Sequence, residues 1–166
     1  MRRRQAKKHI ILPDPKFNDV QVTKFVNNIM LQGKKSVAFK IFYDAIEIVD
    51  TRMEEENGLD VWKKALENVT PGVEVRSRRV GGATFQIPTP VRDSRKNSMA
   101  MKWLIGYSKK RNEKTMSQRL AGEIMAAAKE EGGAYKKKED THRMAEAKNS
   151  FLSTRMHTDK ICFLKI

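Results

Sequence analysis

The sequence predicts a mainly α protein, a compact bundle of about six helices with a protruding two-stranded β-hairpin between the third and fourth. Three observations lead there. Apolar residues recur at helical spacing through most of the chain. One stretch, residues 73–90, breaks that period with two alternating, β-branched runs around Gly81-Gly82. This is the composition of a two-residue hairpin loop, because glycine reaches φ > 0 without steric cost. The links between helical runs are short, so consecutive helices pack antiparallel. At 166 residues, with no internal repeat and no low-complexity linker, the chain reads as one domain with tails. These are a basic arm at 1–15, a helical body at 16–151 and a tail at 152–166.

Taken in order, residues 1–15 carry Arg2, Arg3, Arg4, Lys7 and Lys8 ahead of a Pro13-Asp14-Pro15 breaker. Little in them folds alone, which marks an arm that orders on a polyanion. From Val20 the helical period sets in, with Val22, Phe25, Val26, Ile29 and Met30 on one stripe and Gly33 expected as the C-cap. The second helix, entered through Ser36 as N-cap, aligns Val37, Ala38, Ile41, Phe42, Ala45, Ile48 and Val49. Asn57-Gly58 breaks the pattern. A third helix then places Val61, Trp62, Ala65, Leu66 and Val69 on one side before Thr70-Pro71-Gly72 closes it. The acidic cluster Glu54-Glu55-Glu56 has no histidine or second carboxylate group at ligand spacing and reads as a solvated helix end.

Pairing outward from the Gly-Gly turn sets Val80 against Ala83, Arg78 against Phe85 and Arg76 against Ile87. Side chains alternate along a strand, so Arg76, Arg78, Phe85 and Ile87 share one face and Arg79 joins Ser77, Thr84 and Gln86 on the other. Strands of about eight residues reach ~25 Å. Pro88 and Pro90 cannot donate to a ladder, which suits a ribbon with free edges. Three arginines within four residues, mixed with apolar groups, form a surface for phosphate and base rather than an ordinary solvated hairpin.

Beyond Pro90, a fourth helix capped by Asp93 or Ser94 is expected to bury Met99, Ala100, Trp103, Leu104 and Tyr107. Arg92, Arg95, Lys96 and Lys102 fall on its other faces. A basic loop, Lys109-Lys110-Arg111-Asn112-Glu113-Lys114, leads to Thr115, which with Gln118 three residues on makes a capping box. Met116, Leu120, Ala121, Ile124, Met125 and Ala128 form the stripe of the fifth helix, ended by Gly132-Gly133. A last helix is expected from about Lys137 to Phe151, and the remainder through Ile166 follows no clear period. The nine methionines read as core filler.

Lys+Arg 34 against Asp+Glu 20 gives a net charge of +14, which points to nucleic acid first and an anionic membrane second. No apolar run approaches the ~18 residues that span a bilayer. Met1-Arg2-Arg3-Arg4 leads into no long apolar stretch, so no secretory leader and no membrane partner are expected. The single cysteine, Cys162, excludes an intrachain disulfide and a multi-cysteine zinc site, and fits a cytoplasmic setting. Gly33-Lys34-Lys35-Ser36 is not a phosphate-binding P-loop. That motif needs glycine where Asn28 stands, Ser or Thr where Lys35 stands, and a preceding strand. Two lysines beside a helix N-terminus still suit an RNA phosphate.

Catalysis needs a nucleophile or base held by an orienting partner. His9, His142 and His157 stand apart, Glu139-Asp140 before His142 reads as a solvated helix start, and His157 with Cys162 is too sparse for a metal pair. No catalytic residue, metal or cofactor is called for. The alternative to an RNA scaffold is a DNA-architectural protein with a basic ribbon arm. Such arms place an apolar wedge at the tip, and Gly81-Gly82 between Val80 and Ala83 is too small for one.

The run Val73-Glu74-Val75-Arg76-Ser77-Arg78-Arg79-Val80-Gly81-Gly82-Ala83-Thr84 resembles the signature of the bacterial small-subunit ribosomal protein seven family. Gly33-Lys34-Lys35-Ser36, Lys64-Ala65-Leu66-Glu67-Asn68-Val69 and Glu139-Asp140-Thr141-His142-Arg143-Met144-Ala145-Glu146-Ala147 resemble further motifs of that family, in the same order. Past Ala147 the chain departs from it, with Lys148-Asn149 in reversed order and Ser150-Phe151-Leu152 leading into an unfamiliar tail. The resemblance implies a non-enzymatic, ribosome-bound protein in the head of the small subunit. It also implies direct binding to the 3′ major domain of small-subunit rRNA and nucleation of head assembly. The hairpin and C-terminal helix would lie near exit-site tRNA and mRNA, beside the platform protein numbered eleven, and some members repress their own messenger.

Charge and resemblance together nominate the RNA-binding residues. They are Arg2, Arg3, Arg4 and Lys7 in the arm, Lys34 and Lys35 at the second helix, and Arg76, Arg78 and Arg79 on the ribbon. Arg92, Arg95 and Lys102 follow on the fourth helix, then Lys109, Lys110, Arg111 and Lys114 in the basic loop, and Lys136, Lys137, Lys138 and Arg143 on the last helix. Such side chains neutralise phosphates and release counterions, and folded RNA is recognised chiefly through shape, backbone and 2′-OH groups.

Overall fold

The amphipathic stripes meet in one core. A computed structural model describes residues 9–53, 57–80 and 82–163, with Val80, Ala83 and 149–163 as backbone only. In order, the elements are α1 (Val20–Ile29), α2 (Lys35–Arg52), α3 (Gly58–Val69), β1 (Val73–Val80), β2 (Ala83–Pro90), α4 (Asp93–Ser108), α5 (Met116–Ala128) and α6 (Gly132–Phe163). The acidic cluster at 54–56 lies outside the described residues.

Three rings from three helices form the centre. Phe25 of α1, Phe42 of α2 and Trp62 of α3 are fully buried and meet edge-to-face, with centroids 5.4–5.6 Å apart. That geometry sets the positive edge of one ring on the negative face of the next. Around them α5 packs against α2, α3, α4 and α6. Its buried side, Leu120, Ala121, Ile124, Ala127 and Ala128, is mostly small residues.

Local signals set several helix starts. The Asp19 side chain accepts from the Gln21 N–H (2.8 Å), Asn57 accepts from the Leu59 N–H (3.3 Å), and the Thr115–Gln118 capping box is present. The hairpin pairs in the expected register, with Val80 opposite Ala83, Arg78 opposite Phe85 and Arg76 opposite Ile87. Gly82 takes φ +87 at the turn.

Four details differ from the sequence reading. First, α1 is closed by Met30, whose N–H bonds the Val26 carbonyl, and Gly33 (φ +74) serves the turn that follows. Second, α2 begins at Lys35 with Lys34 as N-cap, so Ser36 sits inside the first turn and caps nothing. On the same helix Val37 is 52% exposed and Ile46 is buried in its place.

Third, α4 starts after Arg92, whose side chain makes no capping bond, and buries Ala100, Met101, Leu104, Ile105 and Ser108. Trp103 and Tyr107 stay half-buried at the core's edge, where rings with polar ends commonly sit. Fourth, α6 starts at Gly132, earlier than expected. The carboxylate of Glu123 on α5 reaches across to accept the Ala134 N–H (2.8 Å), and this cap comes from a neighbouring helix. The α6 backbone then continues to Phe163.

Removing a ring from the centre leaves a cavity that the packed helices cannot close. Phe42→Ala is expected to lower the unfolding free energy by about 3–5 kcal/mol in urea titrations. Val37→Ala, on the exposed side of the same helix, is expected to stay within about 0.5 kcal/mol.

Candidate nucleic-acid interface

The ribbon's root is organised by a carboxylate. Strand alternation puts Glu74 on the face of Arg76. There Glu74, only 6% exposed, accepts from Arg76 through one oxygen and from Nε of Arg95 on α4 through the other (3.0 Å). Burial pushes its carboxyl pKa up, but the hydrogen bonds and charges of Arg76 and Arg95 outweigh that and hold it below the usual 4.5.

Two further bonds fasten the root. The Val91 N–H donates to the Gly72 carbonyl (3.1 Å), and the Gly72 N–H donates to Nε2 of His142 on α6 (3.1 Å). His142 is thus engaged in holding the hairpin base, and α6 lies against both strands.

From this root the ribbon carries Arg78 and Arg79 outward. They lie on opposite faces, across from Phe85 and Thr84. Both are exposed, and among the described residues neither meets a carboxylate. Arg76 and Arg95 keep more than half of their side-chain surface exposed despite Glu74. A guanidinium has five N–H donors, so each retains some for a second partner.

The other nominated residues divide by what they touch. Lys34, Arg92, Lys102, Lys109, Lys114, Lys136 and Arg143 are exposed. Lys35 and Lys110 are exposed too, with Nζ 5.5 Å from the Phe39 ring and 4.7 Å from the Tyr107 ring. Lys137 is half-buried. Arg111 is turned inward, with Nε on Glu113 (2.9 Å) and Nη1 on Glu123 (2.8 Å), which joins the α4–α5 loop to α5. Lys138 donates to the Asn68 carbonyl (2.7 Å), tying α6 to α3. Arg2, Arg3, Arg4 and Lys7 lie outside the described residues.

The arm's root is nonetheless fixed. Buried Asp14 accepts from the N–H groups of Lys16 (3.1 Å) and Phe17 (3.0 Å) and from the Tyr43 hydroxyl (2.8 Å). Burial, with the hydrogen bond to Asp14 behind it, pushes the Tyr43 phenol up to about 12. Sequence reasoning missed Glu74 and Asp14 as organisers. The signal for Glu74 was a lone acid two residues before an arginine on a strand face.

The depressed Glu74 pKa carries a sign. Its contribution to stability is fully present above about pH 4.5 and is lost as pH falls through the lower folded-state value. Glu74→Gln is therefore expected to flatten the fall in unfolding free energy between pH 5 and pH 3, relative to the parent chain, in urea titrations.

A family model described as Ribosomal protein S7p/S5e matches residues 1–149. A small ribosomal subunit protein uS7 from Christiangramia forsetii is 67% identical over 153 residues, covering 91% of this chain and 97% of the relative. Proteins of the same name from Flavobacterium johnsoniae and Flavobacterium psychrophilum are 65% and 63% identical with the same coverage. The chain belongs to the Ribosomal protein S7p/S5e family, a family of ribosomal structural proteins rather than of enzymes.

Proposed function

We propose that the chain is a structural constituent of the small ribosomal subunit that binds the 3′ major domain of its rRNA and nucleates folding of the head. The observation that carries this reading is the pair Arg78 and Arg79, uncommitted on opposite faces of a ribbon whose root is locked by Glu74. A ribbon with cations on both faces fits between RNA segments rather than against one of them. Arg76, Arg92, Arg95 and Lys102 extend the cationic surface from the ribbon onto α4. Lys34 and Lys35 at the start of α2, Lys109, Lys110 and Lys114 after α4, and Lys136, Lys137 and Arg143 on α6 supply further phosphate contacts.

Arg111 and Lys138 act first as fasteners of the fold, through Glu123 and Asn68, and reach RNA only with their remaining donors. The arm with Arg2, Arg3, Arg4 and Lys7 threads between RNA helices. The hairpin and α6 face exit-site tRNA and mRNA beside protein eleven of the platform, and the same RNA-binding surface serves where such a protein represses its own messenger. The tail from 152 lies beyond the family match, which ends at residue 149, and its backbone continues α6 to Phe163.

Each phosphate neutralised contributes roughly 0.7–0.9 to the slope of log affinity against log salt. Arg78→Ala combined with Arg79→Ala is expected to lower affinity for a head-domain rRNA transcript and reduce that slope by roughly 1.4–1.8 in filter-binding titrations. An unchanged slope would mean that both arginines are merely solvated.

A further inference from the structure

We infer that the cleft between α1 and α4 is a pocket for one unpaired RNA nucleobase, read by the side chains of Asn27, Asn97, Ser94 and Ser98. This rests on the RNA-binding reading above and adds base recognition to it. The cleft holds about 360 Å³, toward the lower end of the ~300–1,000 Å³ of small-molecule sites. Met101, 2% exposed, and Ile11 give it apolar lining. A polarizable thioether makes favourable contact with an aromatic ring.

Apart from Lys24, the polar groups around that lining are neutral, and this sets the cleft apart from the rest of the cationic surface. Among the described residues, Asn27, Asn97, Ser94 and Ser98 make no side-chain hydrogen bond. Asn28 is held in place, its amide N–H donating to the Lys24 carbonyl (2.8 Å) and approaching Sδ of Met101 (3.8 Å). Its oxygen remains as an acceptor.

Amides and hydroxyls offer donor and acceptor together. That matches the edge of a base, whereas a phosphate offers only acceptors and calls for cations. Lys24 is the one cation among the lining residues and suits a phosphate beside a splayed base, while Asp93, next to Ser94 in sequence, is paired with Lys96 (2.8 Å). Sequence-specific recognition of RNA targets such unstacked bases.

Two other clefts lack this pattern. The one beside the α1–α2 turn is lined mainly by Ile29, Leu31, Val37, Ala38 and Ile41, with Gln32 and Lys34 as its polar members. In the one at the start of α1, Asp19 already pairs with Lys63 (3.1 Å).

The test uses the full chain and a head-domain rRNA transcript. Asn27→Ala with Asn97→Ala alters side chains outside the core, so thermal melting should match the parent. Affinity at fixed salt is expected to fall about tenfold, because edge contacts are lost, while the salt slope stays unchanged. An abasic substitution scanned through the unpaired nucleotides should find one position that weakens the parent by the same factor and the variant no further.

If the parent chain binds with a steep salt slope and the asparagine variant binds equally well, the pocket is refuted and the RNA-binding reading stands. The pocket is equally refuted if no abasic position couples to it. If the parent chain fails to bind the transcript at low salt, both readings fall together.

Discussion

A two-stranded ribbon has no interior of its own and is marginal in water when isolated, so this hairpin stands only because its root is fastened to the helices. Glu74 is the centre of that fastening. One carboxylate joins β1 to itself through Arg76 and to α4 through Arg95. The Gly72 carbonyl and N–H join the strand ends to Val91 and to His142 of α6. In a chain of net charge +14, a carboxylate between two arginines also relieves their mutual repulsion. The arginines keep exposed faces, so the pairing orients them without removing them from a partner's reach.

The cations therefore separate into two populations. Arg111 and Lys138 are drawn into the fold, Arg111 by Glu113 of its own loop and Glu123 of α5, and Lys138 by the Asn68 carbonyl of α3. Arg78, Arg79, Arg92, Lys102, Lys109, Lys114, Lys136 and Arg143 remain on the surface. A basic count alone treats both groups alike. In the proposed function, charges of the second kind are the ones placed to neutralise phosphates, and the number that do so would set the salt dependence of binding. The cleft of Asn27 and Asn97, as proposed, would have a separate role, because phosphate contacts position an RNA and edge contacts specify it.

Much of this was legible in the sequence where the controlling signal is local. The Gly81-Gly82 turn fixed the hairpin register residue by residue, since a slip of one would exchange its two faces. The α3 stripe through Trp62 and the Thr115–Gln118 box were readable for the same reason. What was not legible depends on distant partners. The start of α6 is set by Glu123 on another helix, and the rotation of α4 by which neighbours press on it. The inward turn of Arg111 looked like part of a basic loop until its acceptors were placed around it.

Cutting the ribbon back is the most direct test. A chain in which residues 76–87 are replaced by a short glycine turn retains the helical core, the arm and α6, and its binding to the head-domain rRNA transcript can be compared with the parent at one salt concentration. Helical content and core unfolding are expected close to the parent, with RNA affinity lower by on the order of 10–100-fold through the loss of several phosphate contacts at once. Parent-like affinity from the shortened chain would contradict the RNA-binding role proposed for the ribbon.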